Sequence, residues 1–200
     1  MQSQMSLTSE KVLWNTFRQG DRQAFAMIYE QFIQALLNYG HKITQDESLI
    51  EDSIQDLFYE LWNSRSNLSE TDSIKFYLFK ALRNKIYRNK EKNNFDIIDE
   101  NQALPDWLNE VSTEYSMILQ EHEESQLNHL KRAIQKLPKR QQEAINLRFF
   151  HDFSNEEVAQ LMGVNYQSAC KFIYTGLRFL KEHVIYPILI VLIANYLDKF

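Results

Sequence analysis

Three rows of side chains in this chain are spaced to recognise other macromolecules, and no set is spaced to make or break covalent bonds. Gln167, Lys171, Tyr174 and Arg178 follow one another at helical intervals, so a helix gathers them on one face. Such a polar, mildly basic face supplies donors to base edges and cations to phosphates. Asp52, Gln55, Asp56, Tyr59 and Glu60 form a second row, acidic and carrying a tyrosine. A solvated face explains many such rows; this one also fits a basic partner helix. The third row mixes aromatic and basic residues, Phe76, Phe79, Lys80, Arg83, Tyr87 and Lys90. Aromatic rings stack on unpaired bases at about 1–3 kcal/mol per base, while Lys and Arg neutralise phosphates. The competing reading is that Phe76 and Phe79 pack against a neighbouring helix. Catalysis finds no comparable support. His41, His122, His129, His151 and His183 are scattered, and no H-E-x-x-H, P-loop or nucleophile motif occurs. The expectation is therefore no enzyme, no metal, no cofactor and no small-molecule substrate.

The elements that must hold these rows are helices. Ser154 followed by Glu157 is a capping box, and Val158, Leu161 and Met162 give its helix an inward side. Gly163 suits a helix end and Asn165 suits the next N-cap. Ala169, Ile173, Gly176, Leu177 and Leu180 then form the apolar stripe opposite the polar row. The pair predicts a helix-turn-helix whose second helix faces a DNA major groove. The acidic row backs onto Ile50, Ile54, Leu57, Phe58, Leu61 and Trp62, a buried stripe. The aromatic-basic row backs onto Ile74, Tyr77, Leu78, Ala81 and Leu82, after a polar loop Ser64 to Asp72 with Asp72 or Ser73 as cap. Upstream, Trp14, Phe17, Phe25, Ile28, Tyr29, Phe32, Leu36 and Tyr39 predict core helices broken at Gly20-Asp21, with Gly40 expected to end the second. Leu127, Leu130, Ile134 and Leu137 predict a helix ending before Pro138. Pro138 starts another that carries Ala144, Ile145, Leu147 and Phe149.

Only 4 Gly and 3 Pro among 200 residues, with 44% apolar residues, predict an all-α protein. The single cysteine, Cys170, excludes a disulfide framework and fits a cytoplasmic location. The N-terminus has no apolar signal run. A net charge of −5 looks unsuited to nucleic acid until its distribution is counted. Arg65 to Lys92 carries eight basic residues against three acidic. Asn93 to Glu124 carries nine acidic residues and no Lys or Arg. Lys131 to Glu182 carries nine basic against five acidic. Two basic modules flank an acidic bridge, as suits two DNA-contacting units joined by a segment that avoids DNA. The domain reading is a helical domain over 1–94, an acidic linker over 95–122, a helix-turn-helix domain over 123–183 and an apolar tail over 184–200. Val184 to Leu197 supplies fourteen mostly apolar residues, short of the roughly 20 that span a bilayer, so no membrane span is expected. Packing on its own chain near Phe172 and Phe179 is the first expectation for this tail. A docking element for an inhibitory partner, or an autoinhibitory plug, is the sharper one.

In this order the pieces resemble the extracytoplasmic-function (ECF) class of bacterial RNA polymerase sigma factors. IEDSIQDLFYELW is similar to that family's polymerase-docking helix, including the Gln55-Asp56 pair. FYLFKALRN resembles its −10-engaging segment, and the run from Leu137 to Lys181 resembles its −35-reading module. The resemblance implies that Asp52, Gln55, Asp56, Tyr59 and Glu60 dock on core RNA polymerase. It implies that the loop from Ser64 to Asp72, with Phe76, Phe79, Lys80, Arg83 and Tyr87, captures unpaired −10 bases. It implies that Gln167, Lys171, Tyr174 and Arg178 face the −35 element of promoter DNA, and that an anti-sigma factor is a partner. One departure stands out: Cys170, Phe172 and Thr175 occupy positions that are commonly polar or basic in the family. The nearest rival is a helix-turn-helix regulator working without polymerase, which would not require the acidic row. A membrane-associated protein anchored by the tail is another.

Overall fold

The computed structural model describes residues 2–92 and 130–183, with only the backbone of 2–9, 91 and 92. The expected linker over 95–122 and tail over 184–200 lie outside the described residues. Every regular element among them is helical, and the chain divides into two compact units, residues 1–100 and 101–200.

In the first unit, α1 (Gln2–Arg18) stops where Gly20 takes φ 96°, a left-handed turn that favours glycine. Asp21 then caps α2 (Arg22–Ile43) by accepting from Ala24 N at 2.8 Å. Asp46 caps α3 (Glu47–Asn63) in the same way, accepting from Leu49 N at 3.0 Å. A 3-10 turn, Arg65–Asn67, leads into the polar loop, and α4 (Ile74–Lys92) follows. Helix α3 packs on both α2 and α4, which also pack on each other, while α1 closes over α2. The stripes expected from the sequence meet here: Phe17, Ile28, Leu36, Tyr39, Ile50, Leu57, Leu61, Ile74 and Leu78 are all buried, whereas Tyr29, expected in the core, is 42% exposed.

Gly40 does not end α2, contrary to expectation. The helix continues one turn further to Ile43, and Gly40 is buried inside it. A Cβ on Gly40 would lie 2.6 Å from Ile50 Cγ2, so the glycine lets α2 and α3 approach closely.

In the second unit the described residues begin with a helical stretch, 130–135, followed by a turn into Pro138. Pro138 immediately precedes α5 (Lys139–Ile145), which runs into a π-helical turn, Asn146–Phe150. The buried Gln142 amide donates to the carbonyls of Leu137 at 2.7 Å and Gln135 at 3.2 Å, satisfying the end of the preceding helix. Helix α6 (Asn155–Met162) starts at the expected capping box, with both the Ser154 and Glu157 bonds formed. It ends at Gly163, φ 63°, and Arg140 donates to the Met162 carbonyl at 3.3 Å. Helix α7 (Tyr166–His183) packs on α5 and α6 through Ala169, Ile173, Gly176, Leu177 and Leu180, the stripe read from the sequence.

Candidate nucleic-acid interface

Helix α3 carries Asp52, Gln55, Asp56, Tyr59 and Glu60 in one exposed row because Ile54, Leu57, Phe58 and Leu61 are all turned into the core. Tyr59 is 70% exposed, the most open of the large hydrophobic side chains among the described residues. The row does not stand alone. Lys85 of α4, with a side chain only 14% exposed, pairs with Glu60 at 2.6 Å and reaches Asp56 at 3.9 Å. Lys85 thus links the acidic row to the neighbouring helix, a role that the sequence did not signal. Tyr77 lies partly buried beside this contact. Burial first, and the Glu60 charge second, raise its phenol above the usual range.

On α4 the structure corrects the expected exposed face. Phe79 is fully buried, its ring stacked on Tyr39 with centroids 4.8 Å apart, so it is core and cannot meet a base. Arg83 is only 9% exposed; its guanidinium lies 4.4 Å over the Tyr87 ring and donates to the Tyr87 hydroxyl at 3.3 Å. The buried stripe is Ile74, Leu78, Phe79, Leu82 and Ile86, while Tyr77 and Ala81 are only partly covered. The stripe is rotated toward α2 relative to the expected one. What remains outward is a narrower face: Lys80 and Tyr87 exposed, Phe76 partly buried, with the Lys80 ammonium 5.7 Å from the Phe76 ring. Such cation–π pairs hold the two side chains together with about 0.5–1 kcal/mol at exposed sites. Lys90 is drawn away from this face, donating to the Ile43 carbonyl at the end of α2 at 3.3 Å. Burial lowers its pKa, and Asp46 opposes that shift.

The loop between α3 and α4 is held from α1. Trp14 Nε1 donates to the Ser69 carbonyl at 2.9 Å, and Lys11 pairs with Asp72 at 2.7 Å. Glu10 Oε2 accepts from Ile74 N at 3.2 Å, while Ser73 Oγ accepts from Phe76 N at 3.1 Å, capping α4. Ser73 was one of two caps read from the sequence. The α1 contacts join residues more than fifty positions apart, and no local pattern announces them.

In the second unit, Gln167, Lys171, Tyr174 and Arg178 are all exposed on α7. Asn165 caps the helix, accepting from Ser168 N at 2.8 Å. Arg178 lies 4.0 Å from Glu182, with both side chains well exposed, a weak restraint. The three departing positions are less available: Cys170, Phe172 and Thr175 are partly buried. Cys170 Sγ accepts from Asn155 Nδ2 at 3.5 Å, and Thr175 Oγ1 donates to the Lys171 carbonyl at 2.7 Å. Tyr166, at the first turn of α7, is 44% exposed and was missed in the sequence reading. A hydrogen bond with Cys170 chiefly raises the Tyr166 phenol above its usual range.

Residues 28–95 match Sigma-70 region 2, and residues 127–180 match Sigma-70, region 4. The two matched segments are those that carry the rows on α3, α4 and α7. The chain is an ECF-type sigma factor. Among curated proteins it is similar to RNA polymerase sigma factor SigZ of Bacillus subtilis (strain 168), 26% identical over 159 residues. That alignment covers 78% of this chain and 84% of SigZ. RNA polymerase sigma factor YlaC of the same organism is 26% identical over 145 residues, covering 71% of this chain and 81% of YlaC. The fold is shared with CnrH, solved in complex with the cytosolic domain of CnrY, at TM-score 0.55 and 17% identity over 86% of this chain and 94% of that one. It is also shared with sigma factor RpoE of Bartonella quintana, solved with the anti-sigma factor NepR. There the TM-score is 0.54 and the identity 20%, over 79% of this chain and 94% of that one. As a sigma factor the protein works with core RNA polymerase on DNA. Among the described residues no group of three or more His, Cys, Asp and Glu could hold a metal ion, and no helix is long and apolar enough to cross a membrane.

Proposed function

We propose that this sigma factor directs core RNA polymerase to promoters by reading a −10 element with its first unit and a −35 element with its second. The observation that carries the reading is the exposed acidic row on α3, Asp52, Gln55, Asp56, Tyr59 and Glu60, one helix away from an exposed Lys80–Tyr87 face. The row docks on a basic surface of core polymerase, and its negative charge, like that of the phosphates, keeps it off DNA. Lys80, Tyr87 and the partly buried Phe76 meet the non-template strand together with loop 64–73, where stacking offsets the few kcal/mol that extruding a base costs. Arg83 takes part by holding the Tyr87 ring, and Phe79 by supporting the helix from inside. Gln167, Lys171, Tyr174 and Arg178 face the −35 major groove or its flanking phosphates.

An anti-sigma factor is a further proposed partner, supported by the likeness to RpoE, which is solved with one. The protein would then act in the cytoplasm, beside polymerase and promoter. The test is run-off transcription with core polymerase on genomic fragments, paired with co-elution of the chain and core. Discrete transcripts that depend on this chain are expected. DNA binding without core association would instead favour a helix-turn-helix regulator that works alone.

A further inference from the structure

We propose that α1 is a positioning element for the base-capturing loop, acting through Glu10 and Trp14; this rests on the −10 reading above. Within loop 64–73 the 3-10 turn Arg65–Asn67 and the Thr71–Ser73 bonds are local, and the contacts from α1 add a hold on the stretch from Ser69 to Ile74. Glu10 and Trp14 stand one helical turn apart, on the same side of α1. Trp14 is 1% exposed and wedged between Phe17 and Tyr77, with ring centroids at 5.3 and 5.1 Å. Its indole nitrogen can only donate, and it donates to Ser69 in the loop. Lifting Ser69 away would leave a buried N–H without a partner, so this bond resists outward motion of the loop. Glu10 acts where the loop becomes α4. Its carboxylate takes the Ile74 N–H, one of the amides that a helix start leaves without an internal partner. The Lys11–Asp72 pair is well exposed and adds least.

These contacts fix the loop and the first turn of α4, from which Phe76 projects, with Lys80 one turn further on. A loop held in place before DNA arrives does not have to be ordered during capture, and that ordering would otherwise weaken binding. Helix α1 therefore acts on strand opening. It leaves polymerase docking alone, because the hydrogen bonds of Glu10 and Trp14 go to Ile74 and Ser69 and to no residue of the row on α3.

The experiment uses holoenzyme made from core polymerase and the full chain, on a promoter fragment recovered by the run-off test. Open complexes are counted by permanganate reactivity of unpaired thymines. Glu10→Ala combined with Trp14→Phe, which keeps a ring in the core, should lower open-complex formation about 10-fold. Core affinity and duplex binding should stay at the native level, and Glu10→Gln alone, which keeps an acceptor oxygen, should open as the native chain does where Glu10→Ala alone does not. If the double variant melts at low temperature, Glu10→Ala alone carries the test with a smaller loss. Native opening in a folded variant overturns the proposal, and so does an equal loss of core affinity. Lys80→Ala with Tyr87→Ala is the control. If that pair leaves opening intact, the −10 reading itself fails. If it impairs opening while the α1 variants do not, only the positioning role of α1 fails.

Discussion

Replacing Asp56 by Lys separates docking from folding, and the structure sets the size of each effect. The Asp56 carboxylate lies 3.9 Å from Lys85 with its side chain 60% exposed, while Glu60 holds Lys85 more closely at 2.6 Å. Lys85 therefore keeps its main partner in the variant. An exposed pair of this kind is worth about 0–1 kcal/mol, and two like charges at 4 Å in water repel by about 1 kcal/mol. The introduced lysine also gains Asp52 and Glu60 as neighbours one turn away on α3, each worth about 0.3–0.5 kcal/mol. Leu57 and Phe58 beneath are untouched. Folding stability should thus change by less than about 1 kcal/mol. At a docked interface the same reversal places like charge against a basic surface, which costs several kcal/mol. Core affinity should fall by about 100-fold or more, since each 1.4 kcal/mol is a factor of about ten. Titrating a labelled chain with core polymerase, beside a thermal melt, reads both quantities. Native affinity in a folded variant would refute the docking face, and a collapsed melt would refute the claim that Asp56 stands off the core.

Replacing Lys171 and Arg178 by Ala should weaken binding to a −35 duplex at least 10-fold, and should lower the salt slope by about 1–2 because each lost phosphate contact removes about 0.9. An unchanged slope would move the DNA face elsewhere on the second unit. Phe79→Ala should destabilise the first unit by about 3–5 kcal/mol in a denaturant melt, as deletion of a buried ring does. Tyr87→Ala should cost about 1 kcal/mol or less in the same melt and show itself mainly in reduced open-complex formation. Gly40→Ala should destabilise by about 1–3 kcal/mol of overpacking, offset by about 1 kcal/mol of helix propensity. Its Cβ meets both branches of Ile50, Cγ2 at 2.6 Å and Cγ1 at 3.2 Å, close to the backbone where the side chain has little freedom to give. Gly176→Ala meets the terminal Cδ1 of Ile145, which can swing aside, so urea titration should find a smaller loss there.

Much of this molecule is decided within single turns of helix, and that part is legible in the sequence. Ser154 with Glu157, Asp21 and Asn165 cap the helices they precede because a side-chain oxygen three residues from an unpaired amide needs nothing beyond its own segment. The rows on α3 and α7 are equally local. Each opposes a wide, unambiguous apolar stripe, so the polar positions could only face outward. Helix α4 is different because two apolar stripes overlap on it. Ile74, Leu78 and Leu82 belong to both, and the choice between Tyr77-Ala81 and Phe79-Ile86 as the remaining core positions was made by Tyr39 stacking on Phe79. Gly40 was ambiguous for a related reason: glycine serves both to end helices and to let them touch, and only the position of Ile50 shows which applies. The reach of Lys85 to the acidic row, and of Glu10 and Trp14 to the loop, belongs wholly to tertiary structure. Periodicity reports which side of a helix is apolar; which partner meets that side, and which distant polar group it brings along, is settled when the helices pack.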